Sequence, residues 1–209
     1  MTLSEILKSA NAYLDLEYTL PTGDELTTRV SFANQALNDG FSAYRFDELS
    51  ETFYPSTSTL SSYSLPSNFR EMEIKPAVEL NGGITYYPQI KKKDINKYDS
   101  TDNYCYVEGT PEDYSVVFKN LTANATVSIP FQRYPSGMAT LTDVCELPDA
   151  EYVKMKLISY VLQSRSDERF PSVDAKAEIL LSNMIGRSMQ QPSGGIPQIP
   201  RIQTYQIGR

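Results

Sequence analysis

After Pro148 and Asp149 comes a run in which Tyr152, Val153, Met155, Leu157, Ile158, Tyr160, Val161 and Leu162 follow too closely to form one helical stripe. At 3.6 residues per turn they crowd more than one face. A helix apolar this far round has to be covered on more than one side. The rest of the chain must therefore supply its partners, and three other stretches have the right period. Thr2-Leu3-Ser4-Glu5 has the form of a capping box, and Leu3, Ile6, Leu7, Ala10, Tyr13 and Leu14 follow on one face. That predicts a first helix over about residues 3–16. Thr22-Gly23-Asp24-Glu25 repeats the capping pattern after Pro21, ahead of Leu26, Val30, Ala33, Leu37, Phe41 and Tyr44. The second helix is expected to run to about Leu49, with Asn38-Asp39-Gly40 as its weak point. Phe170-Pro171 is expected to break the third helix, and Val173, Ala177, Leu180, Leu181 and Met184 predict a fourth that ends near Met189.

Between Phe53 and Pro135 the period changes from 3.6 to two. Leu80-Asn81-Gly82-Gly83-Ile84 carries the Asn-Gly signal of a tight hairpin, flanked by strands over 72–80 and 84–90. Residues 104–108, 114–118 and 126–134 read as further strands, with a turn at Gly109-Thr110-Pro111-Glu112-Asp113. The resulting expectation is an α+β fold: a four-helix bundle with an inserted antiparallel β-sheet of about five strands and an extended C-terminal arm. By residue, 1–55 and 147–190 are the two helical pairs, 56–146 the β-region projecting from the bundle, and 191–209 the arm.

The arm has three prolines and three glycines from residue 190 onward and no helical pattern. Ile196, Ile199, Ile202 and Tyr205 recur every third residue, as do Pro197 and Pro200, and Ile207 follows. In a polyproline II conformation, at three residues per turn, such side chains share one edge. The stretch from 196 to 209 would reach roughly 40 Å at about 3.1 Å per residue. Burying four large side chains gains roughly 6–10 kcal/mol, and ordering the backbone costs as much or more. Such an arm holds still only in a preformed groove, either on its own bundle or on a neighbouring subunit or different protein.

Composition narrows the function. The formal charge of −7, from 26 acidic and 19 basic residues, argues against a dedicated nucleic-acid binder but does not exclude a wall that repels DNA passing nearby. There is no histidine, which removes the usual general base and the commonest metal ligand. Cys105 and Cys145 form no CxxC motif and read as buried free thiols. The N-terminus lacks a basic segment followed by an apolar core, and no apolar run has membrane-spanning length, so a soluble, cytoplasm-made chain with no membrane partner is expected.

Candidate chemistry is sparse. Asp94, Asp99, Asp102, Glu108, Glu112 and Asp113 cluster in sequence, but in polar loops without the opposed geometry of a glycosidase pair. Asp99-Ser100-Thr101-Asp102-Asn103 lacks the glycine and distal glutamate of a calcium loop. Pro192-Ser193-Gly194-Gly195 precedes no helix and carries no phosphate-binding lysine. The expectation is therefore no catalytic residue, no cofactor and no metal. Lys91, Lys92 and Lys93 form the one basic run, either a solvated strand end or a loop facing DNA or a neighbour. Tyr86, Tyr87, Tyr98, Tyr104, Tyr106 and Tyr114 are either subunit-interface packing or a platform for carbohydrate or peptide, which would make the chain a monomeric binding module.

The layout also resembles the head–tail adaptor (connector) proteins of tailed bacteriophages. Arg29-Val30-Ser31-Phe32-Ala33-Asn34-Gln35-Ala36-Leu37, followed by Tyr44-Arg45-Phe46-Asp47-Glu48-Leu49, is similar to their long helix, with Phe46 where relatives often place Trp. Ser64-Leu65-Pro66-Ser67-Asn68-Phe69-Arg70-Glu71-Met72 resembles their entry into the sheet. Tyr106-Val107-Glu108-Gly109 and Val127-Ser128-Ile129-Pro130-Phe131-Gln132-Arg133-Tyr134 look like their paired core strands, and Glu146-Leu147-Pro148-Asp149-Ala150 opens the last helical pair. The resemblance spans about residues 20–190. It implies a structural virion protein of the neck, assembled in the host bacterial cytoplasm. It further implies a ring, commonly of twelve copies, between the portal protein and the tail or a second neck protein, with genomic DNA passing through unbound. The C-terminal segment of relatives often inserts against the portal, which would supply the groove the arm needs.

Overall fold

The computed structural model describes residues 1–15, 17–55, 61–73, 75–111, 113–121 and 123–190. Among these residues four α-helices and eight strands follow in the order α1 (Leu3–Asp15), α2 (Gly23–Ala43), β1 (Ser50–Phe53), β2 (Ser62–Ser64), β3 (Phe69–Met72), β4 (Ala77–Leu80), β5 (Gly83–Tyr86), β6 (Tyr104–Thr110), β7 (Asp113–Lys119), β8 (Thr126–Arg133), α3 (Ala150–Ser164) and α4 (Phe170–Gln190). Short 3-10 turns occupy Asp47–Leu49 and Lys92–Lys97.

The helices do not form the expected four-helix bundle. α3 packs against α1, α2 and α4, whereas α1 and α2 meet only slightly. The arrangement is a hub with three helices laid around it. The cause is the wide apolar surface of α3, which buries Tyr152, Val153, Met155, Leu157, Ile158, Val161 and Leu162. The buried stripe of α2 is narrower and made largely of small residues, Ala33, Ala36 and Gly40 beside Leu37 and Phe41.

Helix ends follow local chemistry. The first capping box forms: the Thr2 amide donates to Glu5 Oε2 at 2.8 Å and the Glu5 amide to Thr2 Oγ1 at 3.3 Å. The second does not, because the Thr22 side chain makes no cap and Glu25 turns to arginines instead. α3 starts on an Asp149 cap accepting from the Glu151 amide at 3.0 Å. It ends at Ser164, so Phe170-Pro171 opens α4 rather than breaking α3. Proline suits a first turn, where its missing N–H has no helical partner to lose. α2 ends at Ala43, short of Leu49, and passes unbroken through Asn38-Asp39-Gly40. A continued helix would place Phe46 about 140° round from Phe41. The extended backbone from Tyr44 onward instead brings Phe46 and Leu49 into the helical core, then forms β1 where no strand is expected.

The inserted antiparallel region is present, but as two sheets rather than one. In the larger, β8 is central: β1 pairs with one edge of it, β3 and then β4 with the other, and β5 pairs with β4. The smaller sheet is β2-β7-β6. Asn81 and Gly82 have φ of 51° and 78°, the paired left-handed turn the Asn-Gly signal calls for. Residues 72–80 are not one strand: the chain is interrupted between Met72 and Ala77, where Pro76 accepts from the Tyr87 amide at 2.9 Å. Two separate cores result, one helical and one between the sheets around Phe69, Tyr87, Phe118, Ile129 and Phe131.

One glycine is a simple stability test. A Cβ added at Gly186 in α4 would touch nothing. Gly186→Ala is expected to raise stability by about 0.5–1 kcal/mol through helix propensity alone, read as a higher urea midpoint.

Candidate assembly surfaces

Polar contacts hold the larger sheet against the helices. The Arg70 guanidinium lies 4.6 Å from the Phe41 ring centroid and donates to the Phe41 carbonyl at 3.0 Å. Arg45 reaches Glu71, and Arg133 holds Glu146 with both terminal nitrogens at 3.0 and 3.1 Å. Gln132, buried in β8, donates to the Phe46 carbonyl and to Ser50 Oγ at 2.9 Å. These bonds orient the sheet edges relative to the helices.

A second cluster ties α2, α3 and α4. Lys156 reaches Asp174 at 2.9 Å and Glu178 at 2.8 Å, Ser159 donates to Asp174, and Tyr160 donates to Asp39. Burial pulls the Lys156 ammonium down, but hydrogen bonds to Glu178 and Asp174 outweigh it and hold the group above the usual lysine range. It stays charged, so it serves as a tie between helices and not as a base or nucleophile. Burial pushes the Cys105 thiol up to about 12 and raises Cys145 as well, leaving both thiols protonated and inert.

The acidic cluster does not converge. Asp94 pairs with Lys97, Glu108 with Lys92, and Asp102 accepts from the Asp99 amide at 2.8 Å; Glu112 lies outside the described residues. Among the described residues, no group of three or more His, Cys, Asp or Glu is placed to hold a metal ion. No helix among them is long and apolar enough to cross a membrane.

The tyrosines of the β-region divide. Tyr87 and Tyr104 are buried, Tyr106 and Tyr114 half-buried, and Tyr86 and Tyr98 exposed. Tyr87 stacks edge-on to Phe118 and Tyr114 to Phe69, as core rings do. The six do not form one exposed platform.

Lys91, Lys92 and Lys93 are exposed at the start of the second 3-10 turn. Lys92 is paired with Glu108, which raises its pKa; among the described residues Lys91 and Lys93 have no ion partner. They line a shallow, open depression with Gln89, Ile90 and Tyr98. The arm residues Ile196, Pro197, Ile199, Pro200, Ile202, Tyr205 and Ile207 lie outside the described residues.

Two apolar surfaces were not singled out from sequence. The Cys145 amide donates to the Met1 carbonyl at 3.0 Å, and Leu3 and Ser4 donate to Asp143 and Leu141, so exposed Met1, Leu141 and Val144 gather at the N-terminus of α1. The other is β5, whose four residues are all exposed, with Ile84 at 58% and Tyr86 at 57%. Its sequence signal was available: Gly83-Ile84-Thr85-Tyr86 lacks the charge or proline that guards a free strand edge.

Residues 1–193 match the family model described as SU10 adaptor protein. No curated protein matches the chain.

Proposed function

The chain belongs to the SU10 adaptor protein family, as the likeness to phage head–tail adaptors leads one to expect, and from that premise we propose that it is a ring-forming adaptor of the phage neck. The ring, of about twelve copies as in the adaptors it resembles, sits between the portal protein and the tail or a second neck protein, and the genome passes through its lumen. It assembles in the host cytoplasm and ends in the virion. Heterologous contacts between identical copies close such a ring when the rotation per step divides a full turn. The match over nearly all of the chain carries the reading. The unguarded sheet edge and the N-terminal apolar patch support it, being surfaces of the kind that partners cover. The charge of −7 suits a lumen that DNA traverses without sticking.

In this function the arm from 191 to 209 docks on the portal or on an adjacent adaptor. Ile199→Asp with Ile202→Asp is expected to leave the melting temperature unchanged and to abolish ring formation on the portal. Electron microscopy of the purified chain mixed with its portal reads this directly. Rings from the double variant would refute the docking role of the arm, and absence of rings from the native chain would refute the adaptor assignment itself.

A further inference from the structure

Among the described residues the larger sheet ends in β1 on one side, and on the other in β5 and, further along β8, the short β3. Across β1-β8-β4-β5 every neighbour is antiparallel, so β1 and β5 run in opposite directions. A sheet with an even number of alternating strands can be continued by a second copy in the same orientation: β5 of the first and β1 of the next meet antiparallel. We propose that neighbouring copies of this chain join in this way, β5 of one adding to β1 of the next. This deepens the ring reading and rests on it.

Three observations carry the pairing. First, the backbone groups are available. The Asn81-Gly82 turn makes Leu80 and Gly83 a hydrogen-bonded pair, and the Tyr87 amide bonds Pro76. By alternation the N–H and C=O of Ile84 and Tyr86 point outward from the edge.

Second, the exposed apolar side chains at both edges lie on one face of the sheet. Val78 and Tyr87 point into the inter-sheet core, so Ile84 and Tyr86 point the other way. Following the register through Glu79, Thr126, Ser128 and Pro130 puts Thr52 on that same face, and alternation adds Tyr54, 65% exposed. Joined edge to edge, Tyr54 of one copy and Ile84 and Tyr86 of the next cover one another.

Third, the charges match. Exposed Asp47 and Glu48 stand just before β1 and have no ion partner among the described residues, while the chain leaving β5 runs to the equally unpartnered Lys91 and Lys93. In an antiparallel pair the start of one strand lies beside the end of the other, which puts these acids at the end of the joint from which the chain departs towards the lysines, by way of the Gln89–Cys105 bridge to the smaller sheet. Lys91 and Lys93, and not Lys92, which Glu108 holds, are the lysines of the joint. β1 sits about four residues further along β8 than β5 does, roughly 13 Å at strand rise. A closed ring absorbs that stagger by tilting its strands to the axis, as barrels do.

The test is cysteine cross-linking in the full chain mixed with its portal, on a background where Cys105 and Cys145 are buried and silent. Ile84→Cys combined with Thr52→Cys, or with Ser50→Cys or Tyr54→Cys to allow for register, is expected to give a disulfide ladder of dimers, trimers and higher species. Each single variant is expected to give none. Rings seen in the microscope without a ladder from any pair would overturn the edge pairing and leave the ring reading intact. Dimers from Ile84→Cys alone would overturn it in favour of two β5 edges meeting symmetrically, and the absence of both rings and ladder would overturn both readings. Independently, Ile84→Lys, which guards the edge with a charge, is expected to keep the native melting temperature and lower ring yield at least tenfold; an unchanged yield would refute the proposal.

Discussion

Stripping Arg29 of its carboxylates, by Asp15→Ala with Glu25→Ala, is expected to cost the fold about 3–5 kcal/mol, more than removing Arg29 itself. Arg29 is 1% exposed in α2, donating to Asn11 Oδ1 and Asp15 Oδ2, each at 2.7 Å, and to Glu25. The asymmetry is in the burial: the acids keep 39% and 48% of their side-chain surface and are shared with Arg165, whereas the cation has no water to return to. Arg29→Met fills the site with an apolar chain and releases the acids to solvent. It is expected to cost about 1–2 kcal/mol, chiefly the lost bond to buried Asn11. Urea midpoints of the two variants give the order, and a reversed order would mean that the acids are not neutralising a buried charge. Acid adds a second readout. The Arg29 hydrogen bond, against some burial and aided by Arg165, holds the Asp15 carboxyl below the usual aspartate range. A depressed carboxylate contributes stability that is whole above its unfolded pKa of about 3.9 and is lost as pH falls through the folded value. Arg29→Met should therefore show a shallower loss of stability below about pH 4 than the native chain.

Much of the helical half was legible because helical period and capping are local. Leu3, Ile6, Leu7, Ala10 and Leu14 are all buried, and α1 ends within a residue of its expected limit. The crowded faces of the third helix did announce a central element. The bundle it suggested was wrong because periodicity tells how much of a helix must be covered and not how many of its neighbours touch each other. β1 was hidden for a related reason: Tyr44 continues the helical stripe of Phe41, and only the position of the core, which takes Phe46 and Leu49, ends the helix before them. The separation into two sheets was equally out of reach, since strand pairing joins residues as distant as Ser50 and Gln132.

The candidate surfaces were less legible than the fold. Lys91, Lys92 and Lys93 stand out in any reading, yet the edge pairing proposed above draws on them only through the unguarded strand before them and the acids before a strand some forty residues earlier in the chain. Exposure of Ile84 and Tyr86 depends on β5 having β4 on one side and, among the described residues, no strand on the other, which is topology. The tyrosines misled in the other direction. Tyr87 and Tyr104 have the composition of a contact surface but spend it on the protein's own core.

Gly40→Val is expected to cost about 3 kcal/mol, the upper end of an overpacked core. Asn38-Asp39-Gly40 is a poor helix centre by propensity alone, but α2 runs through it because α3 comes close there. A Cβ at Gly40 would lie 2.5 Å from Tyr152 Cε1 and 2.8 Å from Leu147 Cδ1, both of buried side chains with no open side to move into. Alanine should recover about 1 kcal/mol in helix propensity against that collision, so Gly40→Ala loses less than Gly40→Val, whose propensity is little better than that of glycine. At Gly186, where no neighbour waits, the same propensity gain appears unopposed. Urea midpoints for the three variants separate the two effects: equal gains at both glycines would mean that α2 and α3 are further apart than the close approach requires. A second check is pairwise. Tyr152→Leu removes the ring atom the new methyl strikes, so its cost and that of Gly40→Ala should not add. The spacing matters beyond stability, because β1 begins at Ser50, ten residues after Gly40, and the connection that leads to it is anchored through Phe46 and Leu49 in the same helical core. A Gly40→Ala chain that folds is therefore expected to present its β1 edge displaced, and to form rings less well than its melting temperature alone would suggest.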